Sequence, residues 1–272
     1  MIFSEDQLER YSRQFVLPAI GVAGQKKLLS AKVLVVGAGA LGSAALLYLA
    51  AAGVGTIGIA DYDAVELSNL QRQVVHRTDR VGTGKVRSAA DTVKALNPEV
   101  EVRMHEGRVT PDNIMDLIAP YDFIVDGTDR FETKLLINDA CVIAGKPFSH
   151  AGIVRLEGQA MTYVPGRGPC LRCIVGEAPP AGSAPTCAEV GVVGAATGIM
   201  GSIQALETIK YITGAGELLV GRILHFDGLS MEFAYTEVKE ASPHCRVCGS
   251  HPEITDVTKN SGEYEVLSAC HR

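Results

Sequence analysis

A chain of 272 residues, 47% hydrophobic and 21% charged, is long enough to bury a sizeable core and too apolar to be disordered. Its formal net charge of -6 gives no global attraction for nucleic acid, so no nucleic-acid partner is expected. The opening MIFSEDQLERYSRQ lacks the basic and apolar regions of a secretory signal, and glycines break the apolar stretches, so the expectation is a cytoplasmic protein without a membrane span.

Residues 4–17 carry Leu8, Tyr11, Phe15 and Val16 near helical spacing, which predicts one helix ended by Pro18, with a short second helix over 22–29. Residues 32–36 are an apolar run of strand character that enters Gly37, Gly39 and Gly42, the G-x-G-x-x-G spacing. The first glycine allows a tight turn, the second lets backbone approach a phosphate, and the third lets a helix pack closely on the strand. A helix is predicted over 44–52, where free N–H groups at its start favour an anion. Residues 54–60 form a second strand ending at Asp61, nineteen residues past Gly42, where a ribose-binding carboxylate belongs. The motif alone does not separate NAD, FAD and ATP, and its glycines also suit simple packing of a βαβ unit.

Residues 66–73 are a polar loop, and Gly82 to Lys85 open a helix that Asn97 and Pro98 stop. A third strand (100–105), a short helix (110–118), a fourth strand (123–125) ending in Asp126-Gly127-Thr128-Asp129, a helix (131–144) and a fifth strand (147–150) follow. This recurrence predicts an α/β fold with a Rossmann-like, mostly parallel sheet and helices on both faces. Two further strands with a hairpin around Glu157 and Gly158, then strand patterning over 221–238, predict antiparallel C-terminal strands. Between them lie a Pro- and Gly-rich loop (166–189) and an apolar helix (194–211), and the tail after Gly249 is expected to be weakly structured. The expected organisation is one domain in two halves, a nucleotide-binding half (1–152) and a second half (153–249), followed by a tail (250–272).

Seven cysteines suit a reducing compartment and a metal better than a disulfide scaffold. Cys170-x-x-Cys173 and Cys245-x-x-Cys248 are two hooks with 71 residues between them, the supply of four thiolates that tetrahedral zinc takes, with an iron–sulfur cluster as the alternative. Cys187 stands alone, open to nucleophilic chemistry or to a buried apolar role. Cys141 reads as core. Asp61, Asp63, Asn69, Arg72, Lys85, Asp126 and Asp129 share one presumed sheet edge. Together they offer a carboxylate for ribose, cations for phosphates and a carboxylate for magnesium, which favours ATP over NAD.

From about residue 8 to 249, the chain resembles the adenylyltransferases that activate ubiquitin-like sulfur carriers, the MoeB/ThiF/HesA group related to ubiquitin-activating enzymes. The segments that carry the resemblance are Arg10-Tyr11-Ser12-Arg13-Gln14, the glycine turn, Asp61-Tyr62-Asp63, residues 68–73, Gly82-Thr83-Gly84-Lys85, Asp126-Gly127-Thr128-Asp129, Thr186-Cys187-Ala188-Glu189 and both cysteine hooks. The resemblance implies that Asp61 holds the ribose hydroxyls and that Asn69, Arg72 and Lys85 contact the triphosphate. It assigns Asp129 to magnesium and the chemistry, and Arg13 to the phosphates in the other subunit of a homodimer. It implies ATP-dependent activation of a carrier's C-terminal Gly-Gly carboxylate as an acyl-adenylate, with release of pyrophosphate, ahead of sulfur transfer. Cys187 matches a cysteine that joins sulfur transfer in the thiamine branch and is dispensable for adenylation in the molybdopterin branch. Residues 174–186 are expected to be a mobile segment closing over the carrier tail. A separate persulfide donor, such as a cysteine desulfurase or rhodanese, is expected because little chain follows the second hook. Arg130 departs from the family's usual Asn, which predicts retuned phosphate contacts and a weaker magnesium site. An NAD-dependent oxidoreductase and a non-catalytic, zinc-stapled carrier-binding module are the alternatives, the second favoured only by Arg130.

Overall fold

The apolar runs at 32–36, 54–60 and 123–125 form the centre of the sheet in the computed structural model, which describes residues 3–177 and 191–264. The strands are β1 (Lys32–Val36), β2 (Thr56–Asp61), β3 (Glu101–Glu106), β4 (Phe123–Asp126), β5 (Phe148–Val154), β6 (Glu157–Tyr163), β7 (Arg222–Asp227) and β8 (Glu232–Glu237). Among the described residues they make one eight-stranded sheet in the order β3-β2-β1-β4-β5-β6-β7-β8. The neighbours from β3 to β5 are parallel, and those from β5 to β8 are antiparallel. This is the expected mostly parallel sheet with antiparallel C-terminal strands.

Side chains alternate across a strand, and over β1 to β5 the alternation builds two of the three apolar clusters found among the described residues. Val33, Val35, Ile57, Ile59, Phe123 and Val125 face one cluster, which also holds residues of α4 (Ala40–Ala52), α5 (Lys85–Leu96) and α9 (Gly194–Thr213). Leu34, Val36, Ala60, Ile124 and Phe148 face the other, against α6 (Ile114–Ile118), α7 (Phe131–Ile143) and α8 (Leu171–Val175). Strands buried on both faces read as continuous apolar runs, which is what β1 and β4 show.

The chain leaves β1 toward β2 and β3, then returns to place β4 on the other side of β1. Connections diverge from this point, leaving a crevice beyond the carboxyl ends of β1 and β4, where open α/β sheets bind ligands.

Four local expectations change. The helix expected over 4–17 is two, α1 (Glu5–Arg10) and α2 (Ser12–Phe15), because Tyr11 leaves helical geometry to bury its ring. Its hydroxyl accepts a hydrogen bond from Asn97 Nδ2 at 2.9 Å. The helix after the glycine turn starts at Ala40 rather than 44, with Gly39 at its N-cap. The hairpin turns at Arg155 and Leu156, not at Glu157 and Gly158, and β5 runs on to Val154. Gly158 serves packing within β6, since a Cβ there would lie 2.7 Å from Met200 Sδ.

The tail is also packed as far as Tyr264, contrary to the expectation after Gly249. Ile254, Val257 and Tyr264 are buried. The Tyr264 hydroxyl donates to Asp139 Oδ2 at 2.7 Å, on a carboxylate that also pairs with buried Arg172 at 2.8 Å. The tail thus adds a donor to a buried ion pair that Asn138 Nδ2 also supports, at 2.8 Å from Asp139 Oδ1. Of the remaining helices, α3 (Gly21–Ser30) matches the expected 22–29 closely.

Candidate active site and metal centre

The glycine turn is built by backbone approach. Gly37 takes a φ of 93° and its N–H donates to Ala60 O at 2.7 Å, tying the end of β1 to β2. A Cβ on Gly42 would fall 1.8 Å from Gly37 O, so only glycine lets α4 pack this close. At Gly39 the nearest outside atom to a built Cβ is Gln73 Nε2 at 3.9 Å, leaving open space in front of the helix start.

Asp61 is docked onto this turn. Its Oδ2 accepts the Ala38 N–H at 2.8 Å, and its Oδ1 accepts those of Tyr62 at 2.7 Å and Asp63 at 2.9 Å. The carboxylate is half-buried and its orientation is fixed, with further lone-pair positions available to hydroxyl donors. Behind the turn, His76 Nε2 donates to Ala38 O and Nδ1 accepts from the Ser88 hydroxyl, each at 2.9 Å. Burial holds this imidazole below its ordinary value, so it braces the turn as a neutral donor. The sequence reading missed His76, which lies in the irregular stretch after residue 73 with no periodic signal.

The other expected phosphate contacts come from the segment between β2 and α5. Asn69 is buried, its Oδ1 accepting the Glu66 N–H at 3.1 Å. Arg72 is half-buried and donates to Ser68 O at 3.0 Å. Lys85, the first residue of α5, is buried with its ammonium 2.9 Å from Asp63 Oδ2. Asp129 is exposed beyond the end of β4 and forms no ion pair among the described residues. An unpaired carboxylate of this kind suits a hard cation such as magnesium.

Arg130 does not pair with Asp129. Its nearest polar contact is the Tyr62 hydroxyl at 3.5 Å, at a pocket of about 100 Å³ where the Arg108 guanidinium lies 4.5 Å from the Tyr62 ring centroid. Arg13 is exposed on α2 and makes no hydrogen bond or ion pair with these residues. Cys187 and most of the segment expected over 174–186 lie outside the described residues.

Beneath the end of β4, Asp126 is fully buried against Lys134 and His150. Burial pushes its carboxyl up, but the Lys134 ammonium and the His150 hydrogen bond outweigh it and hold the carboxyl well below the usual range. Asp126 is therefore tied into the core rather than presented at the edge as the sequence suggested.

The four hook cysteines converge, with all their sulfurs within 4.8 Å of one another. Cys170 Sγ lies 3.9 Å from Cys173, 3.6 Å from Cys245 and 3.3 Å from Cys248, and Cys173 lies 3.3 Å from Cys248. A tetrahedral ion with Zn–S bonds of about 2.3 Å sets its sulfurs about 3.8 Å apart, so this cage matches one zinc. Its surroundings support thiolates: Ser242 N–H reaches Cys173 Sγ at 3.4 Å. Arg172 and Arg246, one inside each hook, both reach Glu263 of the tail, at 3.5 and 2.8 Å.

The profile of the ThiF family matches residues 11–247. The chain is 47% identical over 258 residues to the probable adenylyltransferase/sulfurtransferase MoeZ of Mycobacterium tuberculosis, covering 93% of this chain and 64% of that protein. It is 46% identical over 252 residues to the adenylyltransferase and sulfurtransferase MOCS3 of Anopheles gambiae, covering 93% of this chain and 57% of that protein. The chain thus spans less than two thirds of the length of these relatives. Among solved structures, the microcin C7 biosynthetic enzyme MccB in complex with N-formylated MccA superposes with a TM-score of 0.80 at 26% identity, covering 91% of this chain and 77% of that one. Escherichia coli MccB with ATP gives 0.77 at 25% identity, covering 88% and 73%.

Proposed function

The chain belongs to the ThiF family, and from that premise we propose that it is an ATP-dependent adenylyltransferase acting on the C-terminal carboxylate of a ubiquitin-like sulfur-carrier protein ending in Gly-Gly. The observation that carries the reading is Asp61 locked onto the glycine turn, with Lys85, Arg72 and Asn69 following it in the chain and an unpaired Asp129 beyond the neighbouring strand. An oxidoreductase has no use for so many groups matched to a triphosphate.

The chemistry needs no general base. The carrier carboxylate is already ionised; one of its oxygens attacks the α-phosphorus, the bond to the bridging oxygen breaks, and pyrophosphate leaves with the electron pair. The protein's work is to position two anions and stabilise charge as it develops. Asp61 accepts the ribose hydroxyls, amides at the start of α4 receive phosphate oxygens, and Asn69, Arg72 and Lys85 offset their charge. Magnesium held at Asp129 would supply charge neutralisation on the leaving pyrophosphate. The four-cysteine cage is a structural zinc site, since four thiolates leave no open position.

In this reading the active form is a homodimer in which Arg13 of each chain serves the other site. A separate persulfide donor loads sulfur, and Cys187 belongs to that later step. The chain works as one domain, its nucleotide-binding half ending near residue 152.

The test is carrier-dependent exchange of labelled pyrophosphate into ATP. Asp129→Ala should stay folded by circular dichroism and lose exchange by about two orders of magnitude or more. Cys187→Ala should keep exchange, because attack of a carboxylate on phosphorus needs no thiol. Near-normal exchange in folded Asp129→Ala, or none in wild type with every Gly-Gly-ending carrier offered, would sink the assignment.

A further inference from the structure

The buried charges beneath β4 are more than the sheet requires. Asp126, Lys134 and His150 are 0%, 7% and 6% exposed. Apolar residues of similar size would fill that space without the desolvation cost of three polar groups. Here, instead, the groups are joined to one another by hydrogen bonds. Asp126 Oδ2 accepts from Lys134 Nζ at 3.1 Å and from His150 Nδ1 at 2.7 Å. Lys134 also donates to Ala151 O at 2.8 Å, and Gln204 of α9 donates to the Asp126 carbonyl at 2.7 Å. The other carboxylate oxygen, Oδ1, accepts the Thr128 N–H at 3.1 Å and the Thr128 hydroxyl at 2.6 Å. One oxygen is held by the core, and the other holds the turn that carries Asp129.

We propose that Asp126, Lys134 and His150 are positioning residues that fix the Thr128–Asp129 turn for adenylyl transfer, an inference that rests on the role of Asp129 proposed above. The ionised carboxylate makes both bonds to Thr128 charge-assisted, roughly twice as strong as neutral ones. Lys134 and His150 are the partners that let that charge stay buried. Such pre-orientation matters for a catalysis made of geometry and electrostatics, where a shift of about 1 Å costs about a hundredfold in rate. His150 acts only through its Nδ1–H donor, and its Nε2 has no partner among the described residues.

The experiment measures kcat and KM for ATP in pyrophosphate exchange, calorimetric ATP binding, and thermal midpoints. The variants are Thr128→Val, Thr128→Ser, His150→Ala, His150→Asn and His150→Gln. Thr128 is half-exposed, so Thr128→Val should fold with an unchanged midpoint while removing the hydroxyl bond. It should lower kcat by about tenfold or more and leave ATP affinity and KM within about twofold, because the turn it loosens carries Asp129, whose contribution in this reading is made in the transition state. Thr128→Ser should behave as wild type. His150→Ala should lose kcat in the same way, and His150→Asn, whose amide can replace Nδ1–H, should recover it where His150→Gln does not. Full kcat in Thr128→Val overturns the proposal, and so does a loss in His150→Ala that follows the thermal midpoint alone. Equal recovery by Asn and Gln would show that volume, not the donor, is what His150 supplies. A wild type that binds ATP but shows no exchange would sink the functional reading and this inference with it, whereas an active wild type with unaffected variants would sink this inference alone.

Discussion

Replacing Gly42 by alanine tests whether the contact between β1 and α4 sets the nucleotide site. The added Cβ would stand 1.8 Å from Gly37 O, where contacts below 3.0 Å are not found. Helix α4 must therefore move off by about 1.2 Å or the turn must open, and neither is free. On its far side α4 is backed by α9, where a Cβ on Gly201 would already lie 2.3 Å from Leu41 O. The helix is wedged between two close backbone contacts, so the cost should reach the upper part of the usual overpacking range, about 3 kcal/mol. A displacement of about 1 Å in the phosphate-facing amides should also reduce exchange by about a hundredfold. Gly39→Ala is the contrast, because its Cβ meets nothing nearer than Gln73 Nε2 at 3.9 Å. It should melt as wild type but bind ATP less well, its methyl occupying the space before the helix start. Thermal melts, calorimetric ATP titration and exchange rates decide the matter. A Gly42→Ala protein with wild-type midpoint and wild-type ATP affinity would refute the packing argument.

Three other outcomes are expected. Wild type should carry about one zinc per chain, Cys245→Ser should carry less and melt at a lower temperature, and full loading of the variant would contradict the four-cysteine cage as the zinc site. Burial is the leading cause that holds His76, His105 and His150 below the ordinary imidazole value of 6.5. Below that value the unfolded chain binds more protons than the folded one, so their contribution to stability is complete above 6.5 and declines as pH falls toward the folded values. Thermal midpoints should fall as pH is lowered through about 6.5, less steeply in His76→Gln, and a flat profile would contradict the reading. Arg130→Ala should weaken binding of AMP but not of inorganic tripolyphosphate, because Arg130 faces Tyr62, one residue beyond the ribose carboxylate, rather than Asp129. Equal loss of tripolyphosphate affinity would return Arg130 to the phosphates.

Local chemistry was legible in the chain itself. Gly37, Gly39 and Gly42 after an apolar run announce a strand, a tight turn and a helix, since only glycine tolerates the φ of 93° at Gly37 and the contact at Gly42. Two C-x-x-C hooks announce a four-thiolate cage whatever the distance between them in sequence, because ligand chemistry depends on residue type and not on the path of the chain. Other features were decided only by residues far apart in the chain. Gly158 looked like a turn residue until Met200 came to fill the space above it. The tail looked polar and loose, yet Tyr264 and Glu263 are fixed by Asp139, Arg172 and Arg246, partners that periodicity within the tail does not reveal. Asp126 and Asp129 are three residues apart and alike in sequence. Pairing of β4 with β5 sets one against His150 and Lys134 in the core and leaves the other in solvent. Residue type and spacing determine what a group can do; which groups meet, and which carboxylate is left free, is determined by tertiary packing, where burial and long-range partners outweigh local propensity.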